Sequence, residues 1–130
     1  MKKYPELKFM IIGDGSYKNK FANKENVVFL SWISRNKLSD YINKADVFIS
    51  CQEVIGLGES EILACARPLI TLNSFVNQEI IKPNFNGFLC KLESEDYLNS
   101  IKTILDNENL LKETQRNARQ TADVFYHRIP

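Results

Sequence analysis

The sequence predicts an α/β fold in which a parallel sheet carries helices on both faces. Three observations lead there: five short apolar runs recur along the 130 residues, helical patterns fill the gaps between them, and the runs are continuous rather than alternating. The runs are KFMIIG (8–13), VVFLS (27–31), DVFIS (46–50), PLITL (68–72) and GFLCK (87–91). Continuous runs of this length suit strands buried on both faces, and strand–helix alternation is the mark of βαβ units.

Each element follows in order. The first strand runs into GDGS (13–16), a tight turn that needs positive φ. It lacks the third glycine and the downstream acid of a dinucleotide fingerprint. After the second strand, RNKLSDYINKA sets Leu38, Tyr41, Ile42 and Ala45 on one helical stripe, with Ser34 placed to cap it. The third strand leads into QEVIGLGESEILACARPLI (52–70), which reads as strand end, glycine turn, helix, proline and fourth strand. VNQEIIK is a short helix. The fifth strand precedes SEDYLNSIKTIL, with Leu98, Ile101 and Leu105 as its apolar stripe. Ser94 is the expected cap there, and Glu95 and Asp96 suit the first turn. Asp106-Asn107 separates that helix from ENLLKETQRNARQTADVF. No repeat, low-complexity stretch or linker interrupts the pattern, so a single domain over 1–130 is expected.

Composition narrows the function classes. Hydrophobic content of 44% and charged content of 25% are those of an ordinary globular protein. A net charge of +1 with 17 scattered basic residues argues against a nucleic-acid footprint or a polybasic membrane patch. Cys51, Cys65 and Cys90 are odd in number and match no zinc spacing. Buried free thiols are expected, which favours a reducing, cytoplasmic setting. The start of the chain reads as no signal peptide, and no apolar stretch reaches the roughly 20 residues of a membrane span. The single histidine, His127, reads as a terminal surface residue rather than a catalytic or metal-binding one, and no metal site is expected.

The informative stretch is residues 52–70. Gly56-Leu57-Gly58 follows a strand and opens a helix. In an open α/β sheet, ligands bind at the carboxyl ends of the strands. A helix start offers N–H groups and the positive end of the dipole, and glycine lets an anion approach. A diphosphate suits such a place. Three carboxylates surround it. Glu59 and Glu61 are two residues apart on a helix, so they point roughly 200° from each other and cannot serve one ligand. Glu53 and Glu61 bracket the turn, and a carboxylate accepting two hydrogen bonds suits a vicinal diol. The plainer reading, that all three are first-turn or surface acids, stays open on the residues alone.

EVIGLGESEILACARPLI resembles the E-x7-E segment of the family 4 retaining glycosyltransferases of GT-B fold, the group 1 glycosyl transferases. Their pattern runs E-G-F-G-L-x-x-x-E-A-M-A-x-G-x-P-V, and Glu53, Gly56, Leu57, Glu61, Ala64 and Pro68 fall in register. KFMIIGDG and VVFLSWISRNKLSDYINKADVFIS resemble the family's preceding segments. QEIIKPNFNGFLC resembles E-I-I-x-D-G-x-N-G-F-L-V, and QRNARQTADVF its closing N-A-R helix. The likeness covers nearly the whole chain. It implies the C-terminal, Rossmann-like, donor-binding half of such an enzyme, with a nucleotide-diphosphate sugar as substrate and no covalently bound cofactor. It implies that Glu53 contacts the transferred sugar, that Gly56, Leu57 and Gly58 meet sugar and diphosphate, and that Glu61 binds the ribose. The base would lie against Trp32 and Ile33.

Departures from the pattern accompany the likeness. Ser31 stands where the family often has Gly, Ala66 replaces the glycine before Arg67-Pro68, and Phe75-Val76 replaces a Gly-Gly ahead of Glu79. Glu59 places an extra acid beside the phosphates. The family domain opens with a strand and helix ahead of the YPELK segment, which carry a basic pair for the diphosphate; that strand is central in a 3-2-1-4-5-6 sheet. The likeness therefore implies a partial domain that does not turn over alone. The N-terminal acceptor domain would then be its missing partner, and the full enzyme would associate peripherally with the inner face of a membrane. A gap or edge in the sheet would favour self-association. The competing reading is a non-catalytic Rossmann-like binding or scaffolding module. A GT-B epimerase would need further acid–base groups, and a phosphorylase a cofactor-lysine segment that is not found. A receiver domain would need acids where Asp14 and Ser50 stand alone.

Overall fold

The computed structural model describes residues 8–12, 27–30, 35–54 and 57–125. The chain divides into two compact units, residues 1–38 and 39–130. In the first, β1 (Phe9–Ile12) and β2 (Val27–Leu30) pair in parallel, Phe9 against Val27 and Ile12 against Leu30. A parallel pair needs a crossover connection; here it contains the GDGS turn, which lies outside the described residues, as does the cap expected at Ser34. Helix α1 (Arg35–Ile42) ends on Ile42, which is buried, with Tyr41 and Ala45 half-buried beside it.

The second unit holds β3 (Phe48–Ile49), α2 (Leu57–Ala64), β4 (Leu69–Leu72), α3 (Phe75–Ile80), β5 (Gly87–Cys90), α4 (Ser94–Leu105) and α5 (Glu108–Phe125). Its strands are parallel in the order β3-β4-β5, with Phe48 beside Leu69 and Leu72 beside Cys90. The central strand is buried as its run predicts: Leu69, Ile70 and Thr71 are fully enclosed. The run at 46–50 behaves differently. Only two residues form β3, and Ile49 is 42% exposed.

The core gathers Leu63 of α2, Leu69, Ile81, and Ala118 and Ala122 of α5, with Phe48, Ile62 and Leu89 packed around them. Helix α5 turns Thr114, Ala118, Thr121 and Ala122 inward. That spacing keeps them on one helical face, and their small size lets α5 lie close against α2. Helix α4 packs on β4 and β5 with Tyr97, Ile101 and Ile104 buried. The predicted stripe is thus rotated: Ile101 is shared, whereas Leu98 and Leu105 are only half-buried.

Two other expectations are corrected. Ser94 is the first residue of α4, not its cap; Glu93 occupies the cap position in extended conformation and makes no side-chain capping bond. Asp96 closes that end instead, its Oδ2 accepting from the Lys91 N–H at 2.8 Å. The cysteines are free, but only Cys90 is buried; Cys65 is half-buried, and Cys51 is exposed because it lies beyond the end of β3. Burial pushes the Cys90 thiol above its usual range against the opposing effect of its hydrogen bond with Ser100, and burial likewise raises Cys65.

At the amino ends of the strands the backbone fits closely. Helix α2 ends with Ala66 N–H bonded to Leu63 O at 3.0 Å and Arg67 N–H to Ile62 O at 3.2 Å. That is a Schellman closure, and it holds Ala66 at φ 60°, where glycine is favoured. Asn84, in the turn before β5, also has positive φ, at 64°. Gly87 leaves no room for a side chain: a Cβ would overlap the Leu69 carbonyl oxygen of the neighbouring strand. Buried Asn86 ties this end together. Its Nδ2 donates to Ile80 O and Thr121 Oγ1, and its Oδ1 accepts from Lys82 N–H.

Candidate functional site

At the carboxyl ends of β3, β4 and β5 the chain emerges in three loops. The loop after β3 carries Glu53. Four side-chain contacts hold its backbone, all from residues the sequence pattern did not single out for this role. Tyr97 Oη donates to Ser50 O at 2.8 Å. Ser50 Oγ accepts from Gln52 N–H at 3.2 Å. Asn77 Nδ2 donates to Gln52 O at 2.9 Å, and Ser74 Oγ donates to Glu53 O at 2.7 Å. Ser74 is also the cap of α3, accepting from the Asn77 N–H at 3.1 Å. With its backbone held, the Glu53 side chain stands exposed in a bend beyond the strand.

The three glutamates therefore occupy different environments. Glu53 is exposed, whereas Glu59 and Glu61 are half-buried. Glu59 lies in the first turn of α2, and its Oε2 accepts a hydrogen bond from Ser50 Oγ at 3.3 Å. The extra acid thus leans back toward the end of β3 and links α2 to the Glu53 loop. Glu61 lies in the second turn of α2. Of the turn, Leu57 and Gly58 are the first two residues of α2, and Gly56 lies outside the described residues. Trp32 and Ile33, the residues expected to meet the base, also lie outside them. A helix start presents N–H groups that the helix does not itself satisfy, so Leu57 and Gly58 sit where an anion could be met.

Tyr97 is enclosed beneath this loop. Burial, together with the neighbouring Cys51, holds its phenol protonated far beyond the usual range, so it acts as a fixed donor to Ser50 O. The sequence pattern starts this helix at Val76, whereas it starts at Phe75 with Ser74 as its cap, so Ser74 and Asn77 do not stand out in the sequence. Ser74, just before an apolar turn and with a polar residue three positions on, was the available signal. Large apolar side chains crowd the same end: Val54 is 57% exposed, Phe75 90% and Leu92 69%. Among the described residues no group of three or more His, Cys, Asp or Glu is arranged to hold a metal ion, and no helix is long and apolar enough to cross a membrane.

Comparison with known proteins bears on this arrangement. The family described as "Glycosyl transferases group 1" matches residues 1–121. The UDP-Gal:alpha-D-GlcNAc-diphosphoundecaprenol alpha-1,3-galactosyltransferase of Escherichia coli is 28% identical over 126 residues, which are 87% of this chain and 32% of that protein. The chain thus spans about a third of that relative. A TarM variant of S. aureus, solved in complex with Fondaparinux, alpha-GlcNAc-glycerol and UDP, superposes with a TM-score of 0.83 at 23% identity, over 96% of this chain and 27% of that one. The C-terminal domain of the group 1 family protein LpcC from Francisella tularensis superposes at 0.78 with 20% identity, over 96% of this chain and 72% of that one. The fold is the parallel α/β architecture of the GT-B glycosyltransferases.

Proposed function

The chain belongs to the glycosyl transferases group 1 family, and on that premise we propose that it is the donor-binding half of a retaining glycosyltransferase. It would hold a nucleotide-diphosphate sugar while the sugar passes to an acceptor. The observation that carries this reading is the placement of Glu53 and Glu61. One stands exposed in the loop leaving β3, and the other lies on the helix which that loop feeds.

Glu61 would accept hydrogen bonds from both ribose hydroxyls. The N–H groups of Leu57 and Gly58 would meet the diphosphate, on which negative charge grows as it departs. Glu53 would face the sugar, whose transition state is oxocarbenium-like and is stabilised by a nearby carboxylate. Gly56 would complete the contacts to sugar and diphosphate. The acceptor would be bound by the other half of a GT-B enzyme. The Escherichia coli relative is named for a diphosphoundecaprenol-linked acceptor; a lipid-linked acceptor at the cytoplasmic face of a membrane is the corresponding reading for the whole enzyme.

Titration of the purified chain with UDP, GDP and ADP, alongside Glu61→Ala, tests the donor reading. One diphosphate is expected to bind, and the variant to bind it at least about tenfold more weakly, the loss expected for a diol contact to a charged group. Failure to bind any of the three would leave the scaffolding module as the better account. The cleft also needs an acceptor half, so the chain alone should transfer no sugar; measurable transfer would refute that part.

A further inference from the structure

We propose that Ser74 and Asn77 are positioning residues for Glu53, fixing the sugar contact from the helix that follows the neighbouring strand. The inference rests on the donor reading above and names a device that sets how the sugar, as distinct from the nucleotide, is held.

The geometry singles out these two residues. Ser74 makes two bonds with one hydroxyl: it donates to Glu53 O and accepts from Asn77 N–H. The start of α3 and the backbone of Glu53 are thereby joined through a single atom. Asn77 is fully buried. Its Nδ2 donates to Gln52 O at 2.9 Å and to Leu72 O at 2.8 Å, and lies 3.4 Å from Thr71 Oγ1. Those two carbonyls define the amide's orientation, since the reversed amide would set oxygen against oxygen. The cost is visible on its other side: Asn77 Oδ1 is buried and finds no hydrogen-bond partner among the described residues. A buried acceptor without a partner is unfavourable. A structure that needed only to fill this space could use an apolar residue. One that needs the Gln52 carbonyl in a set place must use a donor.

What the clamp fixes is local. It acts on the backbone at 52 and 53, whereas Glu61 belongs to α2, which the Ser50–Glu59 bond joins to the start of the loop. Loosening the clamp should therefore release the Glu53 carboxylate and leave the ribose contact in place. In binding terms, the sugar moiety should lose its contribution while the diphosphate keeps most of its own.

The experiment compares the wild-type chain with Ser74→Ala, Ser74→Thr and Asn77→Asp. Calorimetric titrations use three pairs, UDP with UDP-galactose, GDP with GDP-mannose and ADP with ADP-glucose. Amide hydrogen exchange at residues 51–54 is measured on the same samples without ligand. Ser74→Ala is expected to speed exchange at 51–54 and to weaken the sugar conjugate about tenfold, with the matching diphosphate changed by less than about threefold. Ser74→Thr keeps the hydroxyl and should restore both readouts. Asn77→Asp keeps the volume but turns a carboxylate toward two carbonyls, so it should exceed Ser74→Ala in both; if it does not fold, Ser74→Ala still decides. Unchanged exchange in Ser74→Ala would overturn the clamp whatever the chain binds. Faster exchange with equal losses for conjugate and diphosphate would overturn the assignment to Glu53. A wild-type chain that binds none of the six compounds would overturn the donor reading, and the positioning role with it.

Discussion

The two ends of the β3–β5 sheet are built differently. At the amino ends, position is set by backbone fit: Gly87 against the Leu69 carbonyl, Ala66 forced to positive φ, and Asn86 with all three of its bonds inside the protein. At the carboxyl ends, side chains from separate helices reach loop carbonyls, the loops carry exposed Glu53, Val54 and Leu92, and α3 opens on exposed Phe75. One end leaves little freedom to substitute. The other is held at a few backbone atoms and leaves its side chains outward. The contrast teaches where stability and function should separate in this fold: replacements at the amino ends should act on folding, and those at the carboxyl ends on what is bound.

Gly87→Ala should give the largest effect. The new methyl group would occupy the Leu69 carbonyl's place, so β4 and β5 would have to part, and a loss of at least about 3 kcal/mol is expected. Chemical denaturation should show a shifted or absent transition; a wild-type midpoint would refute the close fit. Ala66→Gly should move the other way. It relieves a left-handed alanine at a helix end and should stabilise by about 1 kcal/mol. A lowered midpoint would mean that the Ala66 methyl contributes packing that outweighs its strain.

Alkaline pH probes the carboxyl ends, where Cys90 and Tyr97 both have pKa values raised chiefly by burial. For such a group the unfolded chain ionises first, from the ordinary thiol value of 9.0 upward, so it binds fewer protons than the folded state. Stability is then fully present below that pH and falls as pH rises beyond it. Urea midpoints between pH 7.5 and 10.5 (roughly one unit or more on either side of the ordinary thiol value) should decline, and Cys90→Ala should flatten part of the slope. A flat wild-type profile would count against a buried, neutral Cys90. Phe75→Ser should have the smallest effect. Its ring is 90% exposed, so stability should change by less than about 0.5 kcal/mol. If that substitution instead destabilises strongly, the carboxyl end is as tightly built as the amino end and the contrast fails.

Much of this was legible in the chain itself. Apolar runs give strands because a strand buried on both faces needs no polar alternation, and the burial of Leu69, Ile70 and Thr71 bears that out. The Glu53–Glu61 spacing marks the candidate site, and the motif order points to the family that matches residues 1–121. Local chemistry near a helix start was less readable. Ser94 looked like a cap, yet Asp96 closes that helix by bonding the Lys91 amide. Ser74, passed over, caps α3 and holds Glu53 as well.

Periodicity, turn residues and motif spacing are properties of short stretches, so the sequence by itself determined the order of elements, the central buried strand and the place to look for a site. The tertiary structure decided everything that depends on residues far apart in the chain. Asn77 meets Gln52 across 25 positions, Tyr97 meets Ser50 across 47, and Asn86 meets Thr121 across 35. Such a contact forms only when separate elements have packed, because no local pattern says which carbonyl a distant donor will find.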